Sequence, residues 1–169
     1  MSSAPAGLEA ARCGATLLWL RAPDLATGAL AGEARLLAQR SPVPVVVSAR
    51  CDIALATGVG VHLPEHDLPV EAARRLLPAA LLGRSVHSLE GALAAERGGA
   101  DYAVLGPVFP TRSHVGEPGI GLAGFARVAR QVRIPMIGIG GLDPARARPL
   151  AGVGGAGFAA IGYWQSLLP

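Results

Sequence analysis

Seven short runs of β-branched and apolar residues, each separated from the next by room for one helix, leave this chain few possible folds. The runs fall at 15–21, 43–48, 59–63, 81–86, 102–108, 134–140 and 157–162. Their starts lie 28, 16, 22, 21, 32 and 23 residues apart, and a parallel strand pair needs a crossover of about a dozen residues or more. Segments 70–77 and 88–98 carry Ala and Leu on one side and Glu and Arg on the other, 121–131 repeats the amphipathic pattern, and 144–151 supplies a further helix. Ser88 reads as a helix start, and Asp143 before Pro144 as an acidic N-cap with proline at the first helical position. Charged residues make up only 16% of the chain, so a sheet covered on both faces is expected. The series predicts one α/β domain over 1–169, either a doubly wound sheet or a (β/α)8 TIM-type barrel lacking one strand. The barrel is favoured because polar residues and glycines recur after nearly every strand, and a barrel gathers its strand ends at one mouth.

Composition excludes several chemistries. All fifteen basic residues are Arg, and the chain contains neither Lys nor Asn. A Schiff-base enzyme, a covalently held pyridoxal phosphate and a Walker-type phosphate lysine are therefore ruled out. The net charge of +3 is spread over dispersed Arg, with no basic stripe or stacking aromatics, so no nucleic-acid partner is expected. No apolar run approaches the ~20 residues of a membrane span. Cys13 and Cys51 show no ligand or disulfide spacing, and a reducing cytoplasm is the expected location.

Gly138-Ile139-Gly140-Gly141 closes one strand just before Asp143-Pro144, and Gly157–Gly162 closes the next. Paired glycines let a backbone approach a dianion, and the helix that follows adds partial positive charge. These turns come after the last two strands, where barrels commonly hold phosphate.

Several blocks then resemble one family. They are Val61-His62-Leu63, Asp67-Leu68-Pro69, the stretch Gly83 to Glu90 (GRSVHSLE), and Gly99-Ala100-Asp101-Tyr102. Gly106-Pro107-Val108-Phe109-Pro110-Thr111 and the stretch Ile134 to Gly141 (IPMIGIGG) complete the set. In order and spacing they resemble the thiamine phosphate synthase/TenI family across nearly the whole chain. The resemblance implies a single (β/α)8 barrel that binds a thiazole phosphate or thiamine phosphate. Two activities come with it. The synthase joins a pyrimidine diphosphate to a thiazole phosphate with Mg²⁺, and the TenI branch aromatises a carboxylated thiazole phosphate by proton transfer without a cofactor.

By that resemblance Arg21, Ser48, Thr111, Ser113, Gly140, Gly141 and Gly162 bind substrate, Asp67 holds the metal, and Ser85 serves catalysis; His114 is the candidate acid–base group because its loop follows a strand and carries Thr111 and Ser113. The departures fall on one half of the site. Trp19 and Pro23 stand where the family has Gln and Lys, Ser48-Ala49 where it has Asn-Asp, and His114 where it has a second Lys. These losses lead to the expectation of a TenI-like thiazole tautomerase, with a divergent synthase or a silent regulatory binder as alternatives. Pro107 is the exception, standing where the TenI branch has its proton-transfer His. Among the other histidines, His62 reads as structural, His66 as solvated and His87 as a local hydrogen-bonding residue. Asp24 could pair with Arg21, and Asp67 could equally cap a helix beginning at Pro69. The family's first strand has no counterpart before 6–13, which matches its first helix. Association through the exposed strand edges, as a homo-oligomer, is therefore expected.

Overall fold

A computed structural model describes residues 1–111, 116, 118–160 and 162–166. Helices and strands alternate as α1 (Ala4–Arg12), β1 (Leu18–Leu20), α2 (Thr27–Arg40), β2 (Val45–Ser48), α3 (Cys51–Thr57), β3 (Gly60–Leu63) and α4 (Val70–Leu76). They continue as β4 (Leu82–Val86), α5 (Leu89–Arg97), β5 (Tyr102–Leu105), α6 (Gly121–Ala129), β6 (Met136–Ile139), α7 (Pro144–Gly152), β7 (Gly155–Ala159) and α8 (Gly162–Ser166). The chain forms two compact units, one of Met1–Leu82 joined by Trp164 and its C-terminal neighbours in α8, the other of Gly83–Tyr163. In the first, β1 pairs with β2 and β2 with β3; in the second, β4 to β7 pair in succession, and all of these pairs are parallel. Neither unit reverses its strand order, as a doubly wound sheet does at its switch point. The fold class is the (β/α)8 barrel type with seven strands.

Every predicted strand is present, and at three of them a physical cause sets the end. Ala15 is still held by the end of α1, its N–H donating to the Ala10 carbonyl at 2.9 Å. After Leu105 the Gly106–Pro107 peptide bond is cis and proline has no N–H to continue the ladder. The last strand begins two residues earlier than predicted, at Gly155, because it pairs with β6 across a register shift beside Met136. A side chain at Gly155 would meet Leu150 Cβ and carbonyl oxygen at 2.9 Å, so only glycine allows α7 to pack there.

In β2, β3 and β5 the apolar positions are buried on both faces, as their unbroken apolar sequence requires. Leu18, Leu20, Val46, Val47, Val61 and Leu63 fill the first unit. Leu105, Val108, Phe125, Met136 and Leu150 fill the second. β7 differs, with Ala156 and Gly157 exposed; β6 is its one strand partner among the described residues.

Met1 supplies one residue at the outer edge of β1. Its amine donates to the Trp19 carbonyl at 2.9 Å, and the Arg21 N–H donates to the Met1 carbonyl at 2.8 Å. This is parallel ladder geometry, so the position read as empty in the sequence holds a one-residue bridge.

Two helix starts follow the sequence signals. Ser88 Oγ accepts from Gly91 N at 3.0 Å and Asp143 Oδ1 accepts from Arg146 N at 2.9 Å. Ser88→Ala is expected to destabilise the protein by about 1 kcal/mol, measured as a lowered urea midpoint at unchanged slope.

Candidate functional site

The predicted residues lie at or just beyond the C-terminal ends of strands, in both units. In the first unit Arg21 follows β1 directly and is exposed. It forms no ion pair with Asp24 among the described residues, so a cation is available at this strand end. Its guanidinium adds to burial in lowering the pKa of the Met1 amine. Ser48 ends β2 half-buried, in register with His62 on β3.

His62 is fully buried, and the Trp19 ring packs against it with centroids 3.8 Å apart and the ring planes tilted by 40°. The structural reading of His62 stands, since an imidazole enclosed in this way is closed to solvent. Trp19 Nε1 is buried without an acceptor among the described residues. The Trp19–His62 pair was not apparent in the sequence, where 43 positions separate two residues with no shared motif.

Asp67 does not cap α4. The N-cap position belongs to Pro69 and receives no side-chain bond; Asp67 Oδ1 instead accepts from Leu68 N at 2.6 Å. The Asp67 and Asp52 carboxylates add to burial in raising the pKa of the Cys51 thiol, which makes that thiol a poor nucleophile. His66 is exposed, with Nε2 3.9 Å from Glu65 Oε2. His87 is exposed as well.

Mg²⁺ prefers hard oxygen donors and commonly takes one or two carboxylates together with substrate phosphates and water. Asp67 is a half-buried carboxylate of that kind. No group of three or more His, Cys, Asp or Glu suited to a metal occurs among the described residues. A single carboxylate of this kind fits Mg²⁺ completed by substrate oxygens and water rather than a metal caged by protein alone.

In the second unit the two most distinctive sequence blocks pack on each other. Val108 N donates to the Ile139 carbonyl at 2.8 Å and Phe109 N to the Gly140 carbonyl at 3.1 Å. Gly140 and Gly141 both have left-handed backbones, with φ of +97° and +62°. A Cβ on Gly140 would lie 2.7 Å from Pro107 Cβ, and one on Gly141 would lie 2.6 Å from the Pro110 carbonyl oxygen. The glycines are thus required by conformation and by space; a turn of successive amides is the kind of backbone that forms anion-binding nests. Asp143 and α7 follow at once.

Ser85 lies within β4 in register with Val104, and Thr111 is half-buried just beyond Pro110. Gly162 opens α8. Ser113 and His114 lie outside the described residues. Arg146 was missed in the sequence; its Nη1 donates to the Gly141 carbonyl at 3.3 Å. An arginine one turn into the helix behind a diglycine was the available signal.

The strand order and the diglycine turn after β6 define a barrel-type α/β protein. The family model for thiamine monophosphate synthase matches residues 4–163, and the chain belongs to that family. It is 40% identical over 154 residues to a thiamine-phosphate synthase of Chloroflexus aurantiacus, covering 88% of this chain and 71% of the relative. A second thiamine-phosphate synthase, from Pyrococcus furiosus, is 38% identical over 157 residues, covering 90% and 76%. Among solved structures, a thiamine phosphate pyrophosphorylase from P. furiosus superposes with a TM-score of 0.86 at 34% identity, covering 97% of this chain and 85% of that one. FabK from Thermotoga maritima superposes with a TM-score of 0.79 at 18% identity, covering 96% and 55%, a likeness of fold alone. No helix among the described residues is long and apolar enough to cross a membrane.

Proposed function

We propose that this chain is a thiamine phosphate synthase, joining a pyrimidine diphosphate to a thiazole phosphate with release of pyrophosphate. The observation that carries the reading is the diglycine nest at Gly140-Gly141, built by the same two blocks that carry the family resemblance. The similar proteins named as synthases support this activity over the tautomerase expected from the sequence. Pro107 supports it too, since the TenI branch places its proton-transfer His there.

In this reading the nest, with Gly162, holds the thiazole phosphate, and Ser85, Thr111 and Ser113 donate to the pyrimidine and its phosphates. Arg21 neutralises charge on the departing diphosphate, because a guanidinium suits a phosphate bidentately. Ser48 supplies a hydroxyl at the same strand ends. Mg²⁺, held by Asp67, would supply further charge neutralisation to the diphosphate.

A second reading, thiazole tautomerase with His114 as the acid–base group, is favoured by Trp19 and Ser48-Ala49 at positions where the family has Gln and Asn-Asp. Protein given pyrimidine diphosphate, thiazole phosphate and Mg²⁺ is expected to form thiamine phosphate, read by chromatography. No thiamine phosphate, with conversion of carboxythiazole phosphate in a parallel tube, would replace the first reading by the second. Thiazole-phosphate binding with turnover in neither tube would identify a silent regulatory binder.

A further inference from the structure

We infer that Arg146 is a phosphate-binding residue of this site, supplying a cation to the turn at Gly140-Gly141. The inference rests on the thiazole-phosphate reading above and goes beyond it by assigning a side chain to the phosphate.

The argument begins with charge. A helix N-terminus attracts anions through its unsatisfied amides, but α7 begins with the Asp143 carboxylate, whose Oδ1 already accepts from Arg146 N at 2.9 Å. That negative charge offsets part of the attraction and repels a dianion seated on the preceding turn. The chain has no Lys to compensate. Arg146 is the cation whose contacts the structure places on that turn: Nη1 donates to the Gly141 carbonyl at 3.3 Å, which draws the guanidinium back from the first turn of α7 over the diglycine.

This bond engages one of the five N–H donors of a guanidinium. Arg146 forms no ion pair with a carboxylate among the described residues, and it is exposed. The side chain is thus anchored beside the nest with its charge uncompensated and most of its donors available. A phosphate there would receive backbone N–H bonds from the turn and a charge-assisted pair from Arg146, the geometry for which guanidinium is suited. The carbonyl bond also preorganises the side chain and reduces the entropy lost on binding.

Calorimetric titration tests this with two ligands, thiazole phosphate and the corresponding thiazole alcohol. Arg146→Ala and Arg146→Gln are each expected to weaken thiazole-phosphate binding about tenfold while leaving the alcohol unchanged. Arg146→Lys should restore part of the loss, and the salt dependence of phosphate binding should flatten in the Ala and Gln variants. Arg148→Ala, which removes the same charge elsewhere on α7, should bind both ligands as the unsubstituted protein does. Equal losses for phosphate and alcohol would mark a purely structural role and overturn the inference. Undiminished phosphate binding in Arg146→Ala, or a matching loss in Arg148→Ala, would overturn it as well, leaving the thiazole-phosphate reading intact. Failure of the unsubstituted protein to bind thiazole phosphate would overturn both.

Discussion

Gly141→Ala is expected to abolish measurable thiazole-phosphate binding and to destabilise the protein by roughly 2–4 kcal/mol. Two costs add at this position. The backbone is left-handed at φ +62°, a region that costs an L-residue with a Cβ about 1–2 kcal/mol. The new methyl would also lie 2.6 Å from the Pro110 carbonyl oxygen and 2.9 Å from Phe109 Cβ. Neither neighbour is the free end of a flexible side chain. The turn must therefore shift, which carries the nest amides away from their positions. Gly152→Ala, at the end of α7, provides the contrast. Nothing lies within 4 Å of its Cβ position, and alanine exceeds glycine in helix propensity by up to about 1 kcal/mol. Urea unfolding should give the two substitutions opposite signs. A Gly141→Ala protein as stable as its parent and still binding thiazole phosphate would refute the role assigned to the turn.

The largest effect on stability is expected from Phe125→Ala. Phe125 is fully buried and heads the largest enclosed side chains; its removal should cost about 3–5 kcal/mol through lost transfer energy and the cavity left behind. For a chain of this length that corresponds to a fall in Tm of about 10 °C. Leu55, 67% exposed, is the control: Leu55→Ala should change stability by less than about 0.5 kcal/mol. Melting followed by circular dichroism distinguishes the two. A small change for Phe125→Ala would mean that α6 packs loosely on its unit.

The expectation of an αβ series with parallel strands rested on features that act within a few residues, and those features are the ones the structure retains. Ser88 and Asp143 cap their helices because a side-chain oxygen three residues before an amide needs no help from the rest of the fold. The glycines at 140 and 141 were visible as a turn for the same reason. Strand ends were less legible, because an apolar run does not record where a ladder stops. The stop after Leu105 depends on Pro107, and the start at Gly155 depends on the partner register set by β6.

The choice between activities lies further from local reach. Trp19, Pro23, Ser48 and His114 were read as losses from a family pattern and led to a tautomerase. The similar proteins named as synthases favour the other activity, so substitution at a few positions did not separate the two. Asp67 shows the limit at a single residue: its place before Leu68-Pro69 suited a helix cap, yet the carboxylate turns to the adjacent Leu68 amide.

Hydrophobic periodicity, capping residues and glycine pairs were enough to specify the order of elements, the parallel sense of the strands and the position of the nest, because each depends on neighbours in the chain. Tertiary structure alone decided that Gly106–Pro110 packs onto Gly140-Gly141, that Trp19 packs against His62, and that Met1 bridges to the edge of β1. Those contacts join residues about 18 to 43 positions apart and depend on strand register and burial, which no local pattern encodes.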